Sequence, residues 1–199
     1  MENEEARTNK FVLYRTKAES ILHITKLKTV SPEDLRLIRI MHSPDLISMK
    51  GLVRFTNLIE VNLSSNSIEK MTGLFTLKKL KILNLSCNKI KVIDGLRDLK
   101  CLEVLILSHN RIIELRNLDQ LHGEDYTVNH IDLSDNHIAT LSELTYLSGL
   151  SALKKLTLQN GDDTNPICKD REGYFRGLLT LDNVNVIQRV DEHSVGYIQ

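Results

Sequence analysis

The amino-acid sequence predicts an α/β solenoid, a right-handed stack of short coils with parallel strands on the concave face and helical or irregular segments on the convex face. A motif with serine and asparagine at fixed offsets occurs four times, as "VNLSSNSI", "LNLSCNKI", "LILSHNRI" and "IDLSDNHI". Its first three asparagines, Asn66, Asn88 and Asn110, lie 22 residues apart. Aromatic residues make up 5% of the chain, so the core must be mainly aliphatic. Regularly spaced aliphatic residues are typical of repeat proteins.

The regular unit reads L-x-x-[VL]-x-L-x-x-N-x-I, begins at Leu58, Leu80 and Leu102, and is followed by a Gly-Leu pair in several copies. The alternation within it predicts a short strand whose leucines point inward. A single coil cannot bury its apolar face, so the coils must stack into one parallel sheet with a continuous core. The asparagine follows the strand, where its side chain is expected to satisfy backbone groups of its own and the adjacent coil. This pattern is the leucine-rich repeat in its short form.

The repeats are predicted to cover residues 35–165 in about six units, with an insertion at 122–127. The first unit has "MHSPDL" in place of the asparagine motif, and the unit from Leu153 departs from the pattern after its strand. Residues 1–34 and 166–199 are predicted to cap the two ends, since the ends of a solenoid expose apolar side chains. Ser31–Asp34 resembles a helix start. The residues predicted to cover the last coil are Tyr174, Leu178, Leu181, Val184 and Ile187.

Charge and composition argue against several classes of function. The 199 residues contain 26 Lys and Arg and 26 Asp and Glu, so a nucleic-acid partner is not expected from electrostatics. The charge is uneven, with a net +5 in residues 54–116 and −7 in residues 117–199. No apolar run suits a membrane span, and the acidic start is unlike a signal peptide. We therefore expect a cytoplasmic monomer without a cofactor, whose three cysteines are reduced thiols.

Catalytic and metal-binding chemistry is weakly supported by the residue pattern. Four histidines, at 109, 122, 130 and 137, lie near two aspartates but lack the spacing of a zinc site. Gly161–Asp163 contains two adjacent carboxylates and is expected to form a turn. Cys87 and His109 occupy the same position in consecutive units, without an evident third group or oxyanion site. We predict no catalytic or metal site, and a cysteine- or metal-dependent enzyme is the alternative from another class.

The outward strand positions are the predicted binding surface, because solenoids commonly bind partners on the concave sheet. Ile82, Val104 and Ile106 are expected to form an apolar patch with a polar rim, which is typical of a protein interface. The alternative is that β-branched residues simply suit strands. The candidate partner-binding residues are Leu37, Arg39, Glu60, Asn62, Ile82, Asn84, Val104, Ile106, His109, His130, Asp132 and Asp135.

Two resemblances narrow the expected function. The regular units resemble the short-repeat class of the phosphatase-one regulatory leucine-rich protein, the spliceosomal A-prime protein and an axonemal dynein light chain. The stretches "LNLSCNKI", "LHG", "IDLSDNHI", "GDDTNPIC" and "GYFR" resemble the amino-terminal repeats of the centrosomal leucine-rich-repeat and coiled-coil family, over about residues 58–191. Members of that family continue into a long coiled coil, whereas this chain shows no heptads at its end, so it is a fragment or a short relative.

The second resemblance implies a non-enzymatic protein-interaction module that organises a centrosome, centriole or ciliary basal body. Its partner would then be a centriolar or microtubule-associated protein. The first resemblance leaves an alternative, a regulatory subunit that docks a protein phosphatase or a spliceosomal protein.

Overall fold

The computed structural model describes residues 9–160, 165–169 and 185–189. Within these ranges the chain forms one parallel sheet whose strands follow each other in chain order. Because consecutive strands pair in parallel, the chain must return to the same end of the sheet between them. Repeating this crossover from strand to strand produces a solenoid. The strands are β1 (Lys10–Tyr14), β2 (Leu37–Met41), β3 (Glu60–Asn62), β4 (Ile82–Asn84), β5 (Val104–Ile106), β6 (His130–Asp132), β7 (Lys155–Asn160) and β8 (Asn185–Arg189).

The alternation of the repeat sets which side chains form the core. Leu83, Leu105 and Ile131 are the central residues of β4, β5 and β6, and each is fully buried. They are paired in register from strand to strand, so one aliphatic column runs through the stack. The residues on either side of them are half-buried and lie on the opposite face of the sheet. The predicted solenoid is therefore confirmed.

The convex side is irregular and contains 3₁₀ helices, with no α-helix in the described ranges. A 22-residue coil leaves few residues between strands, and the tighter 3₁₀ turn fits such short connections. The predicted helix start at Ser31–Asp34 is instead a turn, closed by a hydrogen bond from Asp34 N to Ser31 O. The 3₁₀ helices are Ile21–His23, Thr25–Thr29, Leu52–Arg54, Arg116–Leu121, Leu141–Leu147 and Pro166–Lys169.

The amino-terminal segment adds a coil to the sheet. Strand β1 pairs along its whole length with β2, from Lys10 opposite Leu37 to Tyr14 opposite Met41. Phe11 and Leu13 are partly buried against the hydrophobic core. The sheet thus begins inside the segment predicted as a cap. At the other end, β8 pairs with β7. Apart from Ile187 on β8, the residues predicted to cover the last coil lie outside the described ranges.

A ladder of buried asparagines joins consecutive coils. Asn88 Oδ1 accepts a hydrogen bond from Ile68 N at 2.9 Å, and Asn88 Nδ2 donates to Leu63 O and Leu85 O. Each asparagine therefore satisfies backbone groups of its own coil and of the preceding one, which fulfils the expectation from the sequence. The same arrangement occurs at Asn66, Asn110, Asn136 and Asn165.

The insertion at 122–127 packs onto the preceding coil. Tyr126 Oη donates a hydrogen bond to Arg97 O at 2.8 Å, and Thr127 Oγ1 donates to Lys100 O at 2.9 Å. Lys100 Nζ also lies 2.7 Å from Asp125 Oδ2. These contacts anchor the insertion away from the concave face, so β6 continues in register with β5.

Candidate functional site

The candidate site lies on the outward face of the sheet, and the strand register brings its residues into two rows. In one row, Glu60 is opposite Ile82, and Ile82 is opposite Val104. In the other row, Asn84 is opposite Ile106. The complete rows across β2 to β6 are Leu37, Glu60, Ile82, Val104 and His130, and then Arg39, Asn62, Asn84, Ile106 and Asp132.

Ile82, Val104 and Ile106 form the apolar centre of this face, here called the concave patch. All three are half-buried, whereas Leu83 and Leu105 between them are fully buried. Their partial burial shows that side chains of adjacent strands, separated by about 5 Å, pack beside one another on the outer face. The patch therefore lies on the outer face of the sheet, and each of its three side chains is partly shielded from solvent by its neighbours.

Several rim residues are held by hydrogen bonds within the chain. Asn84 Oδ1 accepts from Ser86 N at 2.9 Å and from Ser86 Oγ at 2.8 Å. Asp132 accepts the same pair of bonds from Ser134, at 3.0 and 2.7 Å. Such side-chain-to-backbone bonds stabilise the turn that follows each strand. The repeated serine of the sequence motif therefore has a structural role where it follows these two residues.

A column of turn residues borders the concave patch. His42, Ser65, Cys87, His109 and Asp135 all have positive φ, between 53° and 57°, although none is glycine. This left-handed conformation disfavours β-branched residues and directs the chain from the strand toward the buried asparagine. Among the predicted site residues, His109 and Asp135 belong to this column.

Two close polar contacts between side chains involve predicted site residues. Arg39 Nη2 lies 2.7 Å from Glu60 Oε1 across neighbouring strands. His109 Nε2 lies 3.1 Å from Asp135 Oδ2, and the Asp135 side chain is only 6% exposed. Each pair joins two consecutive coils. These contacts therefore help to hold the polar side chains in place beside the concave patch.

The residues considered for catalysis do not assemble into a site. The described hydrogen bonds include none between the Cys87 side chain and His109, whose imidazole instead faces Asp135. Burial, together with the negative charge of Asp135, raises the pKa of the Cys168 thiol to about 11. That thiol is protonated at neutral pH and is a poor nucleophile.

The histidines considered for a metal site are separated from one another. His122 Nε2 is 2.7 Å from Tyr146 O on the convex side, and His130 lies on β6. Within the described ranges, no three His, Cys, Asp or Glu side chains converge as metal ligands would. Gly161–Asp163 lies outside those ranges.

His130 is expected to make the stability of the folded protein depend on pH. Its pKa is lowered, mainly by burial and then by the Lys155 ammonium, while Asp132 acts in the opposite direction. The unfolded chain therefore binds a proton more readily, and this residue's contribution to stability is lost as the pH falls through about 6.5 toward the lowered value. Urea unfolding of wild type and His130→Gln at pH 7.5 and 5.0 is expected to show a smaller acid-induced loss in the variant. An equal loss in both proteins would contradict this assignment.

The structure also places residues that the sequence pattern did not single out. Asn165 completes the asparagine ladder, with Oδ1 accepting from Ile138 N at 3.1 Å. Asn165 lies 12 residues after Leu153 rather than the regular 8, so the regular spacing does not predict it. The Asn165-Pro166 dipeptide is the sequence feature that could have indicated it. The side chains of Phe75, Val92 and Ile113 are more than half exposed and lie outside the strands.

None of the helices within the described ranges is long and apolar enough to cross a membrane.

The comparisons with known proteins agree with the repeat architecture. Residues 56–112 match the family model described as leucine rich repeat. No curated protein matches the chain.

Three solved structures are similar in fold. An internalin (inlF) from Listeria monocytogenes is 21% identical, with a TM-score of 0.59 over 80% of this chain and 42% of its own. Internalin C2 (inlC2) from the same organism is 23% identical, with a TM-score of 0.57 over 82% and 65%. The APL1 leucine-rich repeat domain is 28% identical, with a TM-score of 0.53 over 63% and 32%.

The match spans less than two thirds of the length of each of these structures. At this level of identity the internalins show the fold alone. Together with the family match and the asparagine ladder, they agree on one architecture. Residues 56–112 match the leucine rich repeat family, and the described part of the chain has the solenoid fold of leucine-rich repeat proteins.

Proposed function

We propose that this domain is a non-enzymatic protein-docking module that binds a protein partner on its concave face. Leucine-rich repeat domains generally mediate protein–protein interaction, and solenoids present extended concave surfaces for this purpose. The observation that carries the proposal is the concave patch. Ile82, Val104 and Ile106 lie on adjacent strands, point away from the core and have polar neighbours on both sides.

The geometry suits binding better than chemistry. The concave face combines a small apolar centre with fixed polar groups, such as the Arg39–Glu60 pair and the Asp132–Ser134 contact. In a protein interface of this kind, the apolar centre excludes water and the polar rim fixes the orientation of the partner.

For the cellular role we propose a centrosomal, centriolar or basal-body organising function in the cytoplasm. The support is the resemblance over about residues 58–191 to the centrosomal leucine-rich-repeat and coiled-coil family. The partner would be a centriolar or microtubule-associated protein, bound by a monomer. The alternative is a regulatory subunit that docks a phosphatase or a spliceosomal protein. Proximity labelling with imaging of the tagged chain separates them: centriolar enrichment supports the first, and nuclear speckles support the spliceosomal alternative.

Changing Ile82 and Ile106 together to Asp tests the concave face. The double substitution puts two carboxylates in the apolar centre, and we expect at least about a tenfold loss of partner binding. The measurement is affinity for the proteins captured by wild type, with circular dichroism as the check on folding. Because both side chains lie outside the core, the coil structure is expected to persist.

The matched control is Val92→Asp with Ile113→Asp. These two side chains are 55% and 57% exposed and lie off the sheet, so the control adds the same charge without changing the concave patch. It is expected to bind like wild type. Loss of binding in this control, with retention in the Ile82 and Ile106 variant, would move the interface to the convex side.

A further inference from the structure

One residue beside the concave patch carries a charge that its structural role does not need. Asn84 Oδ1 closes the turn after β4 by accepting from Ser86 N and Oγ, at 2.9 and 2.8 Å. Two coils later, Asp132 Oδ1 closes the turn after β6 by accepting the same two bonds from Ser134, at 3.0 and 2.7 Å. A neutral amide therefore performs this role as well as a carboxylate does. The negative charge of Asp132 is left to be explained by something other than the turn.

The surroundings of Asp132 do not neutralise this charge. Its Ser134 donors are uncharged. His130, on the same strand and face, has a lowered pKa because of burial and the Lys155 ammonium, so its imidazole is neutral at pH 7.5. Lys155 itself lies opposite His130, whereas Asp132 lies opposite Thr157. Within the described ranges, no ion pair joins Lys155 to Asp132. The carboxylate is therefore available to a cation from outside the chain.

Asp132 borders the apolar patch directly. It is in register with Ile106 on the neighbouring strand, and such residues lie about 5 Å apart. The Asp135 carboxylate follows three residues later in the same coil, 3.1 Å from His109 Nε2. That contact pairs opposite charges only when the imidazole is protonated. The patch therefore meets negative charge where β5 adjoins β6.

The other end of the patch is electrically balanced. Glu60 lies opposite Ile82, and its carboxylate is paired with Arg39 at 2.7 Å. Arg39 is the only Lys or Arg at the outward positions of β2 to β6, and Glu60 already compensates it. A ligand on the concave patch thus meets a neutral pair at one end and a carboxylate at the other. The regional charge agrees, since residues 117–199 carry a net −7.

We propose that the concave patch binds a basic, aliphatic segment of a partner protein, with a Lys or Arg of that segment against Asp132. This inference rests on the function proposed above and adds the chemistry of the partner. The aliphatic stem of such a side chain packs on Ile106 while its charged head reaches the carboxylate. Asp132 is half-buried, so the pair is partly shielded from water and is stronger than a pair on an open surface.

A random peptide library displayed on phage and selected against the purified chain tests this inference. We expect the enriched peptides to combine aliphatic residues with Lys or Arg. A synthetic peptide of the enriched sequence, measured by titration calorimetry, is expected to bind Asp132→Asn roughly tenfold more weakly than wild type. This variant keeps an oxygen acceptor for Ser134, as Asn84 does for Ser86, so it is expected to fold normally. Raising the salt concentration is expected to weaken binding to wild type more than to the variant.

The matched control is Asp98→Asn, which makes the same change in net charge. Asp98 is exposed and lies outside the strands, between β4 and β5. This control is expected to bind the peptide like wild type. An equal loss in Asp98→Asn and Asp132→Asn would show a nonspecific effect of net charge and would overturn the inference.

A change in the peptide tests the same contact from the other side. Replacing its basic residue with glutamine is expected to weaken binding to wild type roughly tenfold, and Asp132→Asn is then expected to cause no further loss. If the two changes instead weaken binding independently, the basic residue does not contact Asp132 and the inference is wrong.

The remaining outcomes separate this inference from the proposed function. Ile82→Ser with Ile106→Ser removes apolar surface without adding charge. Enriched peptides that lack basic residues, and that lose affinity for this variant, would overturn the partner chemistry but support the concave interface. Peptides that bind this variant unchanged would overturn both, and so would a selection that enriches no peptide.

Discussion

Replacing Asn110 with alanine is expected to lower the free energy of unfolding by about 3 kcal/mol, because the buried Ile90 N–H loses its partner and the Leu85 and Leu107 carbonyls each lose one of two asparagine donors. Asn110 Oδ1 accepts from Ile90 N, and Asn110 Nδ2 donates to Leu85 O and Leu107 O, each at 3.0 Å. Water cannot readily replace the amide, since the residue is almost fully buried. Urea denaturation followed by circular dichroism measures the loss.

Two further variants define the origin of this effect. Asn110→Asp keeps the shape but removes both N–H donors and buries a charge, so it is expected to be at least as destabilising. Asn62→Ala removes an outward asparagine whose Oδ1 accepts from Ser64 N at 3.0 Å, and it is expected to cost less than about 1 kcal/mol. Similar losses for Asn62→Ala and Asn110→Ala would contradict the structural role assigned to the ladder.

Replacing Gly51 with alanine is expected to destabilise the protein by about 3 kcal/mol, through backbone strain and a steric clash. Gly51 has φ of +106°, which residues with a Cβ rarely adopt. A Cβ there would lie 2.6 Å from the Leu22 backbone nitrogen, which donates a hydrogen bond to Lys50 O. The clash therefore acts on the docking of the amino-terminal coil. The measurements are urea denaturation and limited tryptic digestion, in which early cleavage near Lys26 is expected.

Gly123→Ala is the control that isolates the backbone term. Gly123 has a similar φ of +116°, but a Cβ there would meet no atom within 4 Å. Its loss is expected to be about 1 kcal/mol, from the conformational cost alone. If both glycine variants lose the same stability and resist trypsin equally, the contact between Gly51 and the amino-terminal coil does not contribute.

The repeat positions could be predicted from the sequence because each one is set by a strong local rule. Alternation places Leu83 inward and Ile82 outward, and the 22-residue period then places Val104 beside Ile82. The asparagines were predictable for a related reason, since a turn buried between coils needs a side chain that both donates and accepts.

The ends of the solenoid were less predictable. Strand β1 has the sequence "KFVLY", which alternates but has none of the leucine and asparagine spacing that identifies the repeat. Its pairing with β2 depends on long-range hydrogen bonds that a local pattern does not encode. Asn165 was missed because the extra residues before it disrupt the spacing.

The charge arrangement of the candidate site was also outside the reach of the sequence pattern. The sequence does not show that Glu60 pairs with Arg39 or that the Asp135 carboxylate lies beside His109. Only the three-dimensional contacts reveal which charges remain available. The partner-binding role of the predicted residues stays a prediction until the concave variants are measured.

The asparagine ladder has a consequence for recognition. Each rung ties one coil to the next, so local opening is expected to start at the ends of the stack and to be rarest near β4 and β5. Ile82 and Ile106 belong to those central strands, with fully buried Leu83 and Leu105 next to them. A preorganised surface loses little conformational entropy when it binds. In hydrogen-exchange measurements, the amides of β4 and β5 are expected to be the slowest in the chain, both before and after a ligand docks.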